Sequence, residues 1–65
     1  MAYFELGDRV HDCRDRTDSL LGTVMAKGWV YRDHVHREKQ ILVRWDAGDV
    51  ERYTGFELSP IEVIP

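Results

Sequence analysis

Between positions 29 and 56 the chain carries five large rings, Trp29, Tyr31, Trp45, Tyr53 and Phe56, with the carboxylates Asp46 and Glu57 beside them in sequence. Aromatic faces next to a carboxylate attract a cation, through ring quadrupole and charge together. The same rings are also the largest apolar side chains available to fill a core, and that use is the expectation for Trp45 and Phe56. A second set is metal-directed. His11 and Cys13 stand two apart, as do His34 and His36, so on extended backbone each pair points to one side, and the two pairs together make a Cys-His₃ set. Structural zinc sites ordinarily draw on Cys-rich knuckles, so neither a metal nor any other cofactor is expected. A third set is basic. Lys27, Arg32, Arg37, Lys39 and Arg44 are opposed in that stretch by Asp33 and Glu38 alone, with Trp29 and Tyr31 interleaved. Such a pattern can follow a phosphate backbone while rings stack on bases, but a solvated hairpin that blunts a strand edge has the same composition.

Catalytic chemistry has little to stand on. The chain has no G-x-S-x-G, H-E-x-x-H or G-x-x-x-x-G-K-[ST] pattern. Asp46 and Asp49 flank a glycine turn, where carboxylates cap backbone N–H groups more often than they transfer protons. No enzyme is expected.

The scaffold for these side chains is small. Sixty-five residues make a single domain spanning residues 1–65, with no second lobe to close a cleft. Hydrophobic residues at 43% suffice for a modest core, and 32% charged residues suit a soluble surface. With one cysteine no internal disulfide forms, and with neither a long apolar run nor a secretory pattern a cytoplasmic protein without membrane contact is expected. Nine basic and twelve acidic side chains give a net charge of −3, which weighs against a general nucleic-acid binder. The charge is uneven, since beyond Arg44 the acids Asp46, Asp49, Glu51, Glu57 and Glu62 face the single base Arg52.

No segment shows apolar residues at helical spacing over three turns, so the chain reads as short strands. "GDRVHDC" opens on a turn pair and continues into a first strand after the apolar lead-in Tyr3, Phe4 and Leu6. "RDRTDS" is an exposed loop, and "LLGTVMAKGWVY" resumes strand chemistry. By alternation Val24, Ala26 and Val30 share one face with Gly22 and Gly28, and Thr23, Met25, Trp29 and Tyr31 share the other. If the small residues face inward, both rings stand outside next to Lys27 and Arg44. "RDHVHREK" is a charged hairpin end or loop, "QILVRWD" the clearest strand, "AGD" its turn with Gly48 at φ > 0, and "VERYT" the returning strand. "GFELSP" reads as a tight or 3₁₀ turn and "IEVI" as a final strand. The expectation is an all-β fold, a small five-stranded barrel with a charged hairpin or loop between its second and third strands and one short 3₁₀ turn.

The segments "GDRV", "GTV", "ILVRWDAGDVERYTGFEL" and "IEVI" together resemble an SH3-like barrel of the Tudor, KOW and mind-bomb type, and small bacterial SH3-like domains. In those families a Gly-Asp opens the first strand, a Gly-Thr-Val lies in the second, and a Val-x-Trp-Asp-x-Gly hairpin precedes an aromatic. The resemblance covers nearly the whole chain, and residues 32–39 depart from it as a longer charged insertion. It implies a cation cage or a ligand groove at Trp45, Asp46 and Tyr53, and RNA binding for the KOW-type members. The functional expectation is a non-catalytic interaction module, accessory or regulatory, that binds a partner protein through Trp29, Tyr31, Arg32, Arg44, Asp46 and Tyr53. A nucleic-acid-binding barrel using residues 27–44 is the alternative, and self-association into a homo-oligomer stays open.

Overall fold

The computed structural model describes residues 4–14 and 20–65. They form β1 (Arg9–Asp12), β2 (Leu21–Tyr31), β3 (Arg37–Trp45), β4 (Val50–Thr54), a 3₁₀ turn (Gly55–Leu58) and β5 (Ile61–Val63). All five strands pair antiparallel in one sheet, in the order β4-β3-β2-β1-β5. The all-β expectation and the strand positions hold. The lead-in Tyr3 and residues 15–19 of the expected loop lie outside the described residues. Among the described residues, no helix is long and apolar enough to cross a membrane.

One cluster of buried side chains draws on every strand: Val10 from β1, Val24 from β2, Ile41, Val43 and Trp45 from β3, Tyr53 from β4 and Ile61 from β5, with Phe4 laid across them. A sheet whose two edge strands bury residues in one cluster must curl. Hydrogen bonding does not close it into a barrel, because β4 and β5 remain the ends of the ladder order and the 3₁₀ turn connects them. The core thus lies inside an open, strongly bent sheet.

The bend has a local cause. Val24 pairs with Val43 but Ala26 pairs with Leu42, so Met25 is an extra residue in β2 and the ladder bulges there. Gly7 donates its N–H to the Val24 carbonyl at 2.9 Å and Val24 donates to the Asp8 carbonyl at 2.9 Å, which anchors the lead-in at the bulge and places Phe4 over the core. Beyond the bulge the faces of β2 exchange. Lys27 lies opposite Ile41, Trp29 opposite Lys39 and Tyr31 opposite Arg37, so these three share the inner face of β3. This corrects the alternation read from sequence: Ala26 is exposed and Val30 only partly covered, both on the outer face.

At the other end of β3, Trp45 lies opposite Gly22, where an added Cβ would come within 2.6 Å of Val43 and 2.8 Å of the indole. The glycine is what lets the largest core side chain lie flat against β2. Gly48, at φ 112°, turns β3 into β4, and its N–H donates to the Trp45 carbonyl at 2.8 Å.

Candidate functional site

The expected site residues fall into three separate places. Trp29, Tyr31 and Arg32 sit on the arm formed by the outer halves of β2 and β3. Arg44 and Asp46 are at the opposite end of β3, and Arg44 lies across from Thr23 and Val50 rather than beside the arm rings. Tyr53 is in the core, 8% exposed, edge-on to Trp45 with ring centroids 6.3 Å apart and planes at 87°.

A cation cage at Trp45, Asp46 and Tyr53 is therefore not formed. Both rings are buried against each other, and Asp46 is taken by Arg9, whose guanidinium donates to its two carboxylate oxygens at 2.9 and 2.6 Å and to the Thr23 hydroxyl at 2.7 Å. That guanidinium holds the Asp46 carboxyl below the usual carboxylate range. The Trp45 indole N–H is buried without a hydrogen-bond partner among the described residues.

The arm and the 3₁₀ turn build an apolar concavity. Phe56 was expected in the core, but it is 88% exposed. A four-residue turn can aim one apolar side chain inward, and here that side chain is Leu58, which packs on the core. Phe56 instead borders a groove of about 550 Å³ with Trp29, Phe4, Leu58, Ile61 and Lys39. Trp29, 55% exposed, also borders an adjoining hollow of about 270 Å³ over Phe4, Lys27 and Ile41, so the two hollows make one trough around its ring. Arg37 places its guanidinium carbon 4.4 Å from the Trp29 ring centroid and Lys39 its ammonium 6.0 Å away, a cation–π arrangement that makes this wall basic.

Two further bases of the middle segment sit beside acids. Lys27 contacts Glu5 at 2.8 Å and Arg32 contacts Glu38 at 3.2 Å. At the arm tip Asp33 accepts the N–H groups of Val35 at 2.9 Å and His36 at 2.8 Å, and its carboxylate meets the His36 imidazole at 2.8 Å. His36, followed by two nearby backbone N–H groups, holds the Asp33 carboxyl below its usual range.

The four-residue Cys-His₃ set is not assembled. Among the described residues the group of metal-capable donors that converges is His11, Cys13 and Glu62, without His34 or His36.

Phe4 and Leu58 were not anticipated in a site, Phe56 stood among the candidate rings but was expected in the core, and Arg37 was expected only in the nucleic-acid alternative. The bulge at Met25 brings Trp29 onto the face that Arg37, Phe4 and the 3₁₀ turn share, and a single extra residue in a strand leaves no mark in composition or alternation. No family model matches this chain, and neither a curated protein nor a solved structure shows significant similarity to it.

Proposed function

We propose that this chain is a small, non-catalytic interaction module of the SH3-like type, cytoplasmic and accessory or regulatory in role, which binds a partner protein through the trough around Trp29. The observation that carries the reading is that two of the three rings standing out in solvent among the described residues, Trp29 and Phe56 but not Tyr31, border one apolar groove although they come from distant parts of the chain. Large exposed aromatics converging on one concavity are costly to solubility and are a usual mark of a contact surface. The basic wall of Arg37 and Lys39 favours an extended peptide that seats an apolar side chain against Phe56 and sets an acidic one over the Trp29 edge. Support for the SH3-like reading comes from five short antiparallel strands with a 3₁₀ turn before the last. Direct pairing of Lys27 with Glu5 and of Arg32 with Glu38 lowers the net field the arm offers to a phosphate backbone, which makes nucleic acid the weaker reading.

Selection of the purified domain against a random peptide library tests this. Wild type is expected to enrich peptides sharing an apolar and an acidic position, and Trp29→Ser or Phe56→Ser to weaken them by about 2 kcal/mol or more, with melting temperatures within a few degrees of wild type. Failure to enrich any peptide, together with salt-dependent binding to a short single strand, would overturn the reading in favour of the nucleic-acid alternative. Concentration-dependent self-association abolished by the same substitutions would make the partner a second copy of this chain.

A further inference from the structure

The edge where β5 pairs with β1 gathers three donor side chains of different chemistry. His11 and Glu62 are directly opposite in the β1–β5 register, and the Cys13 N–H donates to the Pro60 carbonyl at 2.7 Å, which extends the pairing and fixes Cys13 next to them. The imidazole Nε2 of His11 lies 3.6 Å from Glu62 Oε2. One ligand atom from each of His11, Cys13 and Glu62 lies within 4.8 Å of the other two. We propose that His11, Cys13 and Glu62 form a binding site for a zinc-class divalent cation at the β1–β5 edge, with the fourth position open to water or to a ligand from a partner.

Donor chemistry and spacing both support the assignment. A thiolate, an imidazole and a carboxylate are the three side-chain ligands of zinc, and three protein ligands with one open position is the pattern of a zinc that still exchanges. Bond lengths of about 2.0 to 2.3 Å put the donors of a tetrahedral site roughly 3 to 4 Å apart, so the His11–Glu62 pair is already at that spacing and a closure of about 1 Å brings in the third donor. Strand pairing sets the three Cα positions before any metal arrives, which lowers the ordering cost of binding. The site uses only half of the Cys-His₃ set that the sequence offers, with Glu62 in the place of His34 and His36.

Titration of the reduced protein with zinc chloride by calorimetry, and with cobalt(II) by absorption, tests the proposal. One equivalent is expected to bind with micromolar or tighter affinity, and cobalt(II) to show a thiolate charge-transfer band. Cys13→Ser should remove that band, and both Cys13→Ser and Glu62→Gln should weaken zinc by about tenfold or more, the scale on which even outer partners of a metal site act. A His34→Ala/His36→Ala double variant should bind as wild type does. Independently of any variant, zinc should slow alkylation of Cys13 by iodoacetamide. Absence of binding and protection at about 100 µM metal, well above micromolar affinity, overturns the site. So does unchanged binding in Cys13→Ser, or loss of binding in the His34/His36 variant.

Discussion

Tyr53 is buried although it belongs to a strand at the sheet edge, and its environment sets a testable pH dependence. Its ring stands edge-on to Trp45, and its hydroxyl donates to Glu51 Oε2 at 2.9 Å. Burial first, and the neighbouring Glu51 carboxylate second, push the phenol from 10.0 up to about 12. The folded state therefore disfavours the phenolate more than the unfolded chain does. Its contribution to stability is full below the unfolded value of 10.0 and is lost as pH rises toward about 12. Urea denaturation at about pH 9 and about pH 12 should show wild type losing more stability than Tyr53→Phe, which has no proton to release. Equal losses in the two proteins would mean that Tyr53 ionises as freely in the fold as outside it. The sequence reads Tyr53 as a binding residue and not as core for a physical reason: Glu51, two residues earlier on the same strand, is exposed, so an edge strand gives no clean alternation to read. Phe56 was misplaced for a related one, since apolar character alone does not say which of Phe56 and Leu58 a short turn aims inward.

Within β2, two glycines of one strand have opposite roles, and their substitutions should separate. An alanine Cβ at Gly22 would press into Val43 at 2.6 Å, Trp45 at 2.8 Å and the Arg44 carbonyl at 3.2 Å, all inside the best-packed part of the sheet. At Gly28 nothing lies within 4 Å. Gly22→Ala is expected to destabilise by about 1 to 3 kcal/mol through overpacking, whereas Gly28→Ala should be neutral or stabilise by up to about 1 kcal/mol by restricting the unfolded chain. Denaturant midpoints measure both, and a Gly22→Ala protein as stable as wild type would show that Trp45 has room to move. Alternation places both glycines on one face, whereas in the sheet Gly22 lies on the buried face opposite Trp45 and Gly28 on the outer face opposite Gln40. Between them lies Met25, whose insertion exchanges the faces of everything beyond. The existence and limits of the strands were legible because β-branched and aromatic residues alternate between turn formers. The face of each residue past the bulge was not, because the irregularity is set by pairing with β3 and by the lead-in that anchors at Val24.

At the scale of the molecule the chain divides into a curled base and a projecting arm, and its long dimension of 39 Å against 20 and 19 Å reflects this division. The buried positions of β2 are Gly22 and Val24, and those of β3 are Ile41, Val43 and Trp45, so the base holds the core while the paired strands run on past it. Pairs such as Trp29 with Lys39 and Tyr31 with Arg37 keep their ladder positions, but what supports them is cation–π contact and exposed ion pairs, each worth little in water. Opening free energies follow buried apolar contact, so the arm is expected to open without the base. Amide exchange should be fast at Trp29, Val30, Glu38 and Lys39 and slow, near the global limit, at Val24, Ile41 and Val43. Exchange equally slow in both regions would make the arm part of one cooperative unit with the core. The same measurement bears on the trough, because its basic wall belongs to the arm and its apolar floor to the base and the 3₁₀ turn. A peptide seated across Trp29 and Phe56 ties the two together, so saturating peptide should slow exchange at Trp29 and Lys39 by about the same factor as at Val43, because the peptide must leave before either the arm or the whole fold opens. Slowing at Val43 with unchanged exchange at Trp29 and Lys39 would instead report a ligand that stabilises the fold without bridging arm and base, and would move the contact surface away from the trough.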